Sequence, residues 1–309
     1  MSDSNAIVIL GVFVADTAYR APRAPRMGET ILGTSFALGP GGKGSNQSVA
    51  AAKSGGNVTF ITKLGKDPFA DMALATWKAA GVKPAVTQMS DNYTGAAYIF
   101  IEESTGNNAI IVCPGAATTI SAADMDARKD LIASAKVFVT QLEQPLPAAI
   151  RALEIARAGG AVTILNPAPA APLEDKVFGL CDYMTPNETE TEALTGITVN
   201  SEESARKAAD ALLKKGAKAA IITLGEMGAL YHTAGVSELV PAFKVAPVVE
   251  TTGAGDAFNG GFATALSRGM APLDAVRFGC ATAGISVTRP GTAPSMPSLP
   301  EIEAVLAKR

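Results

Sequence analysis

The chain has 309 residues, of which 48% are apolar and 18% charged, with a formal net charge of −3. At about 100–200 residues per domain it can form one large α/β domain or two smaller ones, and so apolar a composition excludes an intrinsically disordered chain. The small negative charge leaves no basic footprint, so neither nucleic acid nor an anionic membrane is expected as a main partner.

Met1–Asn5 lacks the basic start of a secretory leader, and the apolar run Ala6–Ala15 falls short of the roughly 20 residues of a membrane helix. Cys113, Cys181 and Cys280 are far apart and odd in number, which argues against a disulfide framework or zinc site and fits a reduced cytoplasm. His232 is the single histidine and cannot build a metal cluster, so acid–base work falls to carboxylates.

Ala6–Val14 is a continuous apolar run of strand length, as in a strand buried on both faces. Asp16 follows at its end, where ligands gather in open parallel sheets; on the residues alone it also reads as a turn or cap aspartate. Residues 17–38, with Pro22, Pro25, Gly28 and Gly33, read as turns and short strands. Gly39-Pro-Gly-Gly-Lys-Gly-Ser-Asn-Gln47 then leads into a small-residue helix ending at Gly55-Gly56. Gly39-x-Gly41-x-x-Gly44 has the dinucleotide spacing but does not directly follow the first strand, and Lys43 is followed by Gly44, which breaks the P-loop pattern. What remains is a pliant backbone with Lys43 and Asn46 at a helix start. It suits a polar or anionic ligand, or simply a tight turn.

Asn57–Thr62 reads as a strand and Asp67–Ala80 as a helix stopped by Gly81. Thr94–Ile101 and Ala109–Cys113 are β-type runs around a turn-rich 102–108, a hairpin signal. With residues 17–38 they predict a small antiparallel sheet inserted into the α/β core, spanning about 13–40 and 89–116. Such a sheet can serve as a lid that excludes water. From Ser121 onward helices alternate with strands at 137–141, 161–165, 181–184 and 219–223, which predicts a parallel sheet covered on both faces. Polar groups follow these strands at Glu143, Asn166, Asn187, Glu190 and Gly225–Gly228, all on one edge. No repeat or linker stands out, so residues 1–309 read as a single domain.

In Glu250–Gly261, Gly253, Ala254 and Gly255 stand directly ahead of Asp256 at the start of a helical pattern. The unpaired N–H groups of a helix start hold an anion, and a carboxylate accepts a hydroxyl proton. That pairing is what phosphoryl transfer to an alcohol needs. Leu273–Val287 predicts a further helix, 288–297 a loop and Glu301–Ala307 a closing helix.

Through Gly41–Gln47 and Glu250–Phe258 the chain resembles, over essentially its whole length, the ribokinase-like (PfkB) family of ATP-dependent sugar and nucleoside kinases. Gln141–Pro145, Asn166–Ala170, Thr185–Glu190 and Val287–Gly291 are similar to its ribose-phosphorylating members. The resemblance implies a Rossmann-like three-layer α/β sandwich with a mostly parallel central sheet and a β lid, lids that pair into homodimers, and transfer of the ATP γ-phosphate to a primary hydroxyl, D-ribose foremost. It implies Asp256 as base and Gly253, Ala254 and Gly255 as anion hole. Asp16, Gly42, Lys43, Asn46 and Glu143 line the sugar site. Asn187 and Glu190 organise Mg²⁺ through waters, and Thr223, Gly225 and Gly228 border the nucleotide beside Asn187 and Gly255. A potassium-like monovalent cation falls to Glu250, Thr252, Ser286, Arg289, Gly291 and Ser295, mostly through backbone oxygens. Other members act on fructose, a keto-deoxy sugar acid or a nucleoside. A non-catalytic sugar-binding regulator is the reading of another class, but it has no need of both Asp256 and the cradle before it.

Two positions depart from the pattern. Val14 stands where the ribose-type pattern has an asparagine two residues before the aspartate, and a valine cannot bond a sugar hydroxyl. This turns the expectation toward a less polar or differently substituted acceptor as well. Glu250 stands where an aspartate is usual, and its extra methylene repositions or weakens the cation site.

Overall fold

A computed structural model describes residues 5–308. Residues 1–4, part of the segment read above as lacking a leader, lie outside the described residues. Strand β1 (Ala6–Leu10) is buried on both sides: Ile7 and Ile9 enter one apolar cluster, Val8 and Leu10 the other. The run expected as one strand to Val14 breaks at Gly11. A Cβ there would stand 2.5 Å from the Gln141 side-chain oxygen and 2.7 Å from the Gly44 Cα, so the chain uses the missing side chain to pass close to a helix start. Val14 instead opens β2 (Val14–Ala21), in a different sheet.

The chain continues through β3 (Ser35–Gly41), α1 (Lys43–Lys53), β4 (Asn57–Leu64), α2 (Pro68–Ala80), β5 (Lys83–Gln88), β6 (Thr94–Glu102) and β7 (Asn108–Gly115). Short helices α3 (Ala122–Asp126) and α4 (Lys129–Ala133) lead to β8 (Val137–Thr140), α5 (Leu146–Ala158), β9 (Val162–Leu165), α6 (Asp175–Phe178), β10 (Tyr183–Met184), α7 (Glu188–Thr195), α8 (Glu202–Lys214) and β11 (Ala219–Thr223). The antiparallel strands β12 (Ala229–His232) and β13 (Ser237–Val240) precede α9 (Ala254–Ser267), α10 (Pro272–Ser286) and α11 (Leu299–Leu306).

The central sheet has nine strands in the order β13-β12-β11-β10-β9-β8-β1-β4-β5, parallel from β11 to β5. Helices α1, α2, α9, α10 and α11 cover the face that holds Ile7 and Ile9; α3 to α8 cover the other. The result is the three-layer sandwich that alternating strands and helices predict. Strand β5, which sequence reading passed over, is a half-exposed edge containing Pro84, where neither hydrophobic period is clear. The second sheet has the order β3-β2-β6-β7. It is not wholly antiparallel as expected: β2 and β6 run parallel, because β4, α2 and β5 lie between them as a long crossover.

Two contacts fix the layer around α1. Trp77 on α2 is fully buried, its ring edge-on to Phe13 at 5.8 Å and to Phe60 at 5.1 Å, and its Nε1 donates to Ser45 Oγ at 2.9 Å. On the other side α9 presses on α1: a Cβ at Gly260 would lie 2.5 Å from the Ala50 Cβ and 2.7 Å from the Gln47 carbonyl. Truncation of a large buried aromatic typically costs about 3–5 kcal/mol. Trp77→Ala should therefore lower the urea midpoint clearly when unfolding is followed by far-UV circular dichroism; an unchanged midpoint would contradict this packing.

Candidate active site

Helix α1 begins at Lys43 after Gly42, whose φ of 88° only glycine adopts freely and whose Cβ would collide with the Val12 carbonyl at 2.5 Å. Gly42 has no side chain to cap the helix. Glu143, just past β8, supplies the cap from across the sheet by accepting from the Lys43 N–H at 2.8 Å. Asp16 leans toward the same place from β2, since a Cβ on Gly41 would fall 2.1 Å from its Oδ2.

Asp256 lies in the first turn of α9 and is buried. Its Oδ2 accepts from Asn46 Nδ2 and its Oδ1 from Gln47 Nε2, each at 3.0 Å. Gln47 Nε2 also donates to Asn166 Oδ1 at 3.1 Å, and Gln47 Oε1 accepts from Gln141 Nε2 at 2.6 Å. Thr185 Oγ1 donates to Asn259 Oδ1 at 2.7 Å, and Asn259 Nδ2 donates to the Gly255 carbonyl at 2.8 Å. The carboxylate is thus clamped by two amides, of which Gln47 is itself held by Asn166 and Gln141. Asn46 Oδ1 is buried with no hydrogen-bond partner among the described residues, which leaves a free acceptor beside Asp256.

Gly253 caps α9 at φ 80° without a side-chain bond. Ala254 N–H donates to the Thr251 carbonyl, whereas the amides of Gly255 and Asp256 have no acceptor among the described residues. Space beside the Gly255 Cα is open, so a ligand can approach the backbone there. Gly253, Ala254, Gly255 and Asp256 line one cleft of about 130 Å³ together with Lys43, Asn187, Glu190 and Thr223. A larger cavity of about 540 Å³, around Arg157, Tyr183 and Tyr231, holds none of the predicted site residues.

The Asn187-x-x-Glu190 element is a reciprocal cap of α7: Asn187 Oδ1 accepts from the Glu190 N–H at 2.8 Å, and Glu190 Oε2 accepts from the Asn187 N–H at 2.9 Å. The other Glu190 oxygen has no partner among the described residues. Thr223 reaches the cleft at the end of β11. Gly225 and Gly228 shape the turn that follows, and Gly228 is pressed against the Val240 carbonyl, which a Cβ would meet at 2.0 Å.

The six positions expected around a monovalent cation lie on two loops and the end of α10. Glu250 Oε2 accepts from the Gly291 N–H at 2.8 Å and ties the loops together. The Ser286 and Ser295 hydroxyls donate to the Ala283 and Thr292 carbonyls. The main-chain oxygens of Thr252, Arg289 and Gly291 accept no hydrogen bond among the described residues. From the same loop Thr292 Oγ1 donates to the Pro40 carbonyl of β3 at 2.8 Å.

Burial pushes the Asp16 carboxyl up to about 6. Burial also pushes Glu143 up to about 7; the Lys43 charge and N–H oppose the rise, and Asp256 and Asp16 add to it. Asp256 is raised by burial against the pull of Lys43, Asn46 and Gln47, which strengthens it as a base.

A profile of the pfkB family of carbohydrate kinases matches residues 5–299. The chain belongs to that family. This kinase is 39% identical to the ribokinase of Staphylococcus aureus over 98% of its own length and 100% of that protein. It is 36% identical to a deoxyribokinase of Salmonella typhimurium over 97% of its length and 98% of that protein. A solved structure of Arabidopsis thaliana ribokinase complexed with ribose and ATP superimposes at a TM-score of 0.92, with 29% identity over 97% of the kinase and 98% of that chain. As a sugar kinase the chain is an ATP phosphotransferase.

Sequence reading missed Gln47, Gln141, Thr185 and Asn259 as supports of Asp256. Gln47 sat in view as a second amide beside Asn46 near the start of α1. The pH dependence follows from the raised carboxyls. Ionised Asp16 and Glu143 make the stronger, charge-assisted bonds to hydroxyls. On lowering the pH through about 7 and then about 6, kcat/KM for the sugar should fall, and Glu143→Gln should remove the upper inflection. A flat profile between about pH 5 and pH 8 would refute the assignment.

Proposed function

We propose that this kinase transfers the γ-phosphoryl group of ATP to the primary hydroxyl of D-ribose, giving ribose 5-phosphate. The observation that carries the reading is Asp256, a buried carboxylate held by two amides beside the unpaired N–H groups of a helix start. Two ribokinases at 39% and 38% identity support the acceptor. Asp16, Gly42, Lys43, Asn46 and Glu143 grip the sugar. Asp256 takes the hydroxyl proton as the oxygen bonds to the γ-phosphorus. The bond from that phosphorus to the bridging oxygen breaks, ADP leaves, and the amides of Gly255 and Asp256 hold the charge on the phosphoryl oxygens.

Thr223, Gly225 and Gly228 border the nucleotide with Asn187 and Gly255. Asn187 and the second Glu190 oxygen would hold Mg²⁺ through waters, and the ion would offset phosphate charge on ATP. Among the described residues no cluster of three or more His, Cys, Asp or Glu forms a metal cage, which suits an ion held largely by phosphates and water. A potassium-like ion fits between the loops of Thr252, Arg289 and Gly291, whose free carbonyls are hard oxygen donors, and it would steady the anion hole. The whole chain acts as a single domain with β2, β3, β6 and β7 as its lid. The free thiols suit a reducing cytoplasm.

The lid also supports a homodimer. Tyr19, Phe36, Tyr98 and Ile111 share its outer face and are exposed, with ring centroids of Tyr19 at 5.1 Å from Phe36 and 5.4 Å from Tyr98. An apolar face of this kind is suited to cover by a second copy.

Asp256→Asn should lower kcat by about 100-fold or more with little change in sugar affinity, measured by coupled ADP release and by calorimetric sugar binding. Near-normal kcat would refute the role of Asp256, and sugar binding without ADP release in the wild type would refute the kinase. Phe36→Asp should convert the dimer to monomer in light scattering; a wild-type monomer would rule out the lid pairing.

A further inference from the structure

The cavity of about 540 Å³ lies on the sheet edge away from Asp256. Its walls come from the starts of β9, β10 and β11 and from the end of the antiparallel β12. The cleft takes Asn166, Thr185 and Thr223 from the other ends of β9, β10 and β11. The volume falls within the range of about 300–1,000 Å³ that small-molecule sites occupy.

Three charged groups line the cavity: Arg157 on the last turn of α5, Asp182 and Lys218. Asp182 is already engaged. Its Oδ1 accepts from Lys218 Nζ at 2.5 Å and its Oδ2 from the Thr163 N–H at 2.9 Å. Arg157 stands 3.8 Å from that carboxylate, beyond hydrogen-bond reach, and its guanidinium donates to none of the described residues. One carboxylate against two cations leaves the lining positive in a chain whose net charge is −3. Tyr183 and Tyr231 complete the walls, and neither phenol hydroxyl has a hydrogen-bond partner among the described residues. Burial pushes the Tyr183 phenol up to about 12 and raises Tyr231 as well, so both remain O–H donors.

A free guanidinium and an ammonium suit a phosphate, and a tyrosine offers an apolar ring face with a polar tip to a sugar. The other walls are mostly glycine, alanine and valine, which suits a ligand richer in hydroxyls than in hydrocarbon. We propose that this cavity binds a sugar phosphate, with the phosphate on Arg157 and Lys218 and the sugar against Tyr183 and Tyr231, at a site separate from the phosphoryl-transfer cleft. The site adjoins the catalytic layer, since the Tyr183 ring meets Phe262 of α9 edge-on at 5.1 Å.

Calorimetric titration of the full chain with ribose 5-phosphate tests this, in the wild type, Arg157→Gln, Tyr183→Phe and Lys43→Met, with circular dichroism as a check on each fold. The lysine variant reports binding in the cleft. The wild type should show a binding event with Kd below about 1 mM. Arg157→Gln should weaken that event about tenfold or more and Tyr183→Phe by a smaller factor, while Lys43→Met leaves it unchanged. Ribose binding, a property of the cleft, should be the same in Arg157→Gln as in the wild type. Inorganic phosphate should bind the cavity about tenfold more weakly than the sugar phosphate, for want of the contacts with the tyrosines. No binding up to about 10 mM, binding that only Lys43→Met weakens, or equal affinity for inorganic phosphate overturns the proposal.

Discussion

The site depends on how closely α9 can lie against α1. Gly260 has no side chain, and the space its Cβ would need is filled by Ala50 and the Gln47 carbonyl. Only at that separation do the Asn46 and Gln47 amides, on the first turns of α1, reach both oxygens of Asp256 on the first turn of α9. A bulkier residue at the crossing would push the helices apart and lengthen two hydrogen bonds at once. The small-residue composition of both helices is therefore a condition for the chemistry, even though none of the glycines and alanines at the crossing reacts.

Two helix starts converge here and are used in opposite ways. The positive end of α1 is occupied by Glu143, which fixes the carboxylate near Lys43 and Asp16. The positive end of α9 is left open, with unpaired amides at Gly255 and Asp256. A negative group belonging to the protein satisfies one, and a negative group belonging to the substrate can satisfy the other. Burial raises the carboxyl pKa values of Asp16, Glu143 and Asp256, with Lys43 opposing the rise at Glu143 and Asp256, so the same desolvation that sharpens recognition makes it sensitive to protons.

The parts of the fold governed by local rules were legible in the sequence. The alternation of strands and helices and Gly81 as a helix stop could be read from neighbours in the chain, whereas the Asn187–Glu190 cap was not read there. The small-residue cradle before Asp256 could be read in the same way. Features set by distant contacts were not legible. The break at Gly11 needs knowledge of Gly44 and Gln141, and the parallel pairing of β2 with β6 needs the path of the crossover. Gln47 gave its identity but not its task, because its partners Asn166, Gln141 and Asp256 come from three other segments. The family resemblance added what spacing could not, namely the role expected of each of the glycine-rich stretches.

The bond from Thr292 to the Pro40 carbonyl joins the end of lid strand β3 to the loop beside Gly253. Pro40 lies in the strand that pairs with Asp16, and Thr292 packs beside Gly253, the cap of α9. Lid position and the geometry of the phosphate cradle are therefore mechanically linked. On the proposed roles of Asp16 and Gly253, removing the Thr292 hydroxyl would therefore reach both the sugar side and the phosphate side of the site.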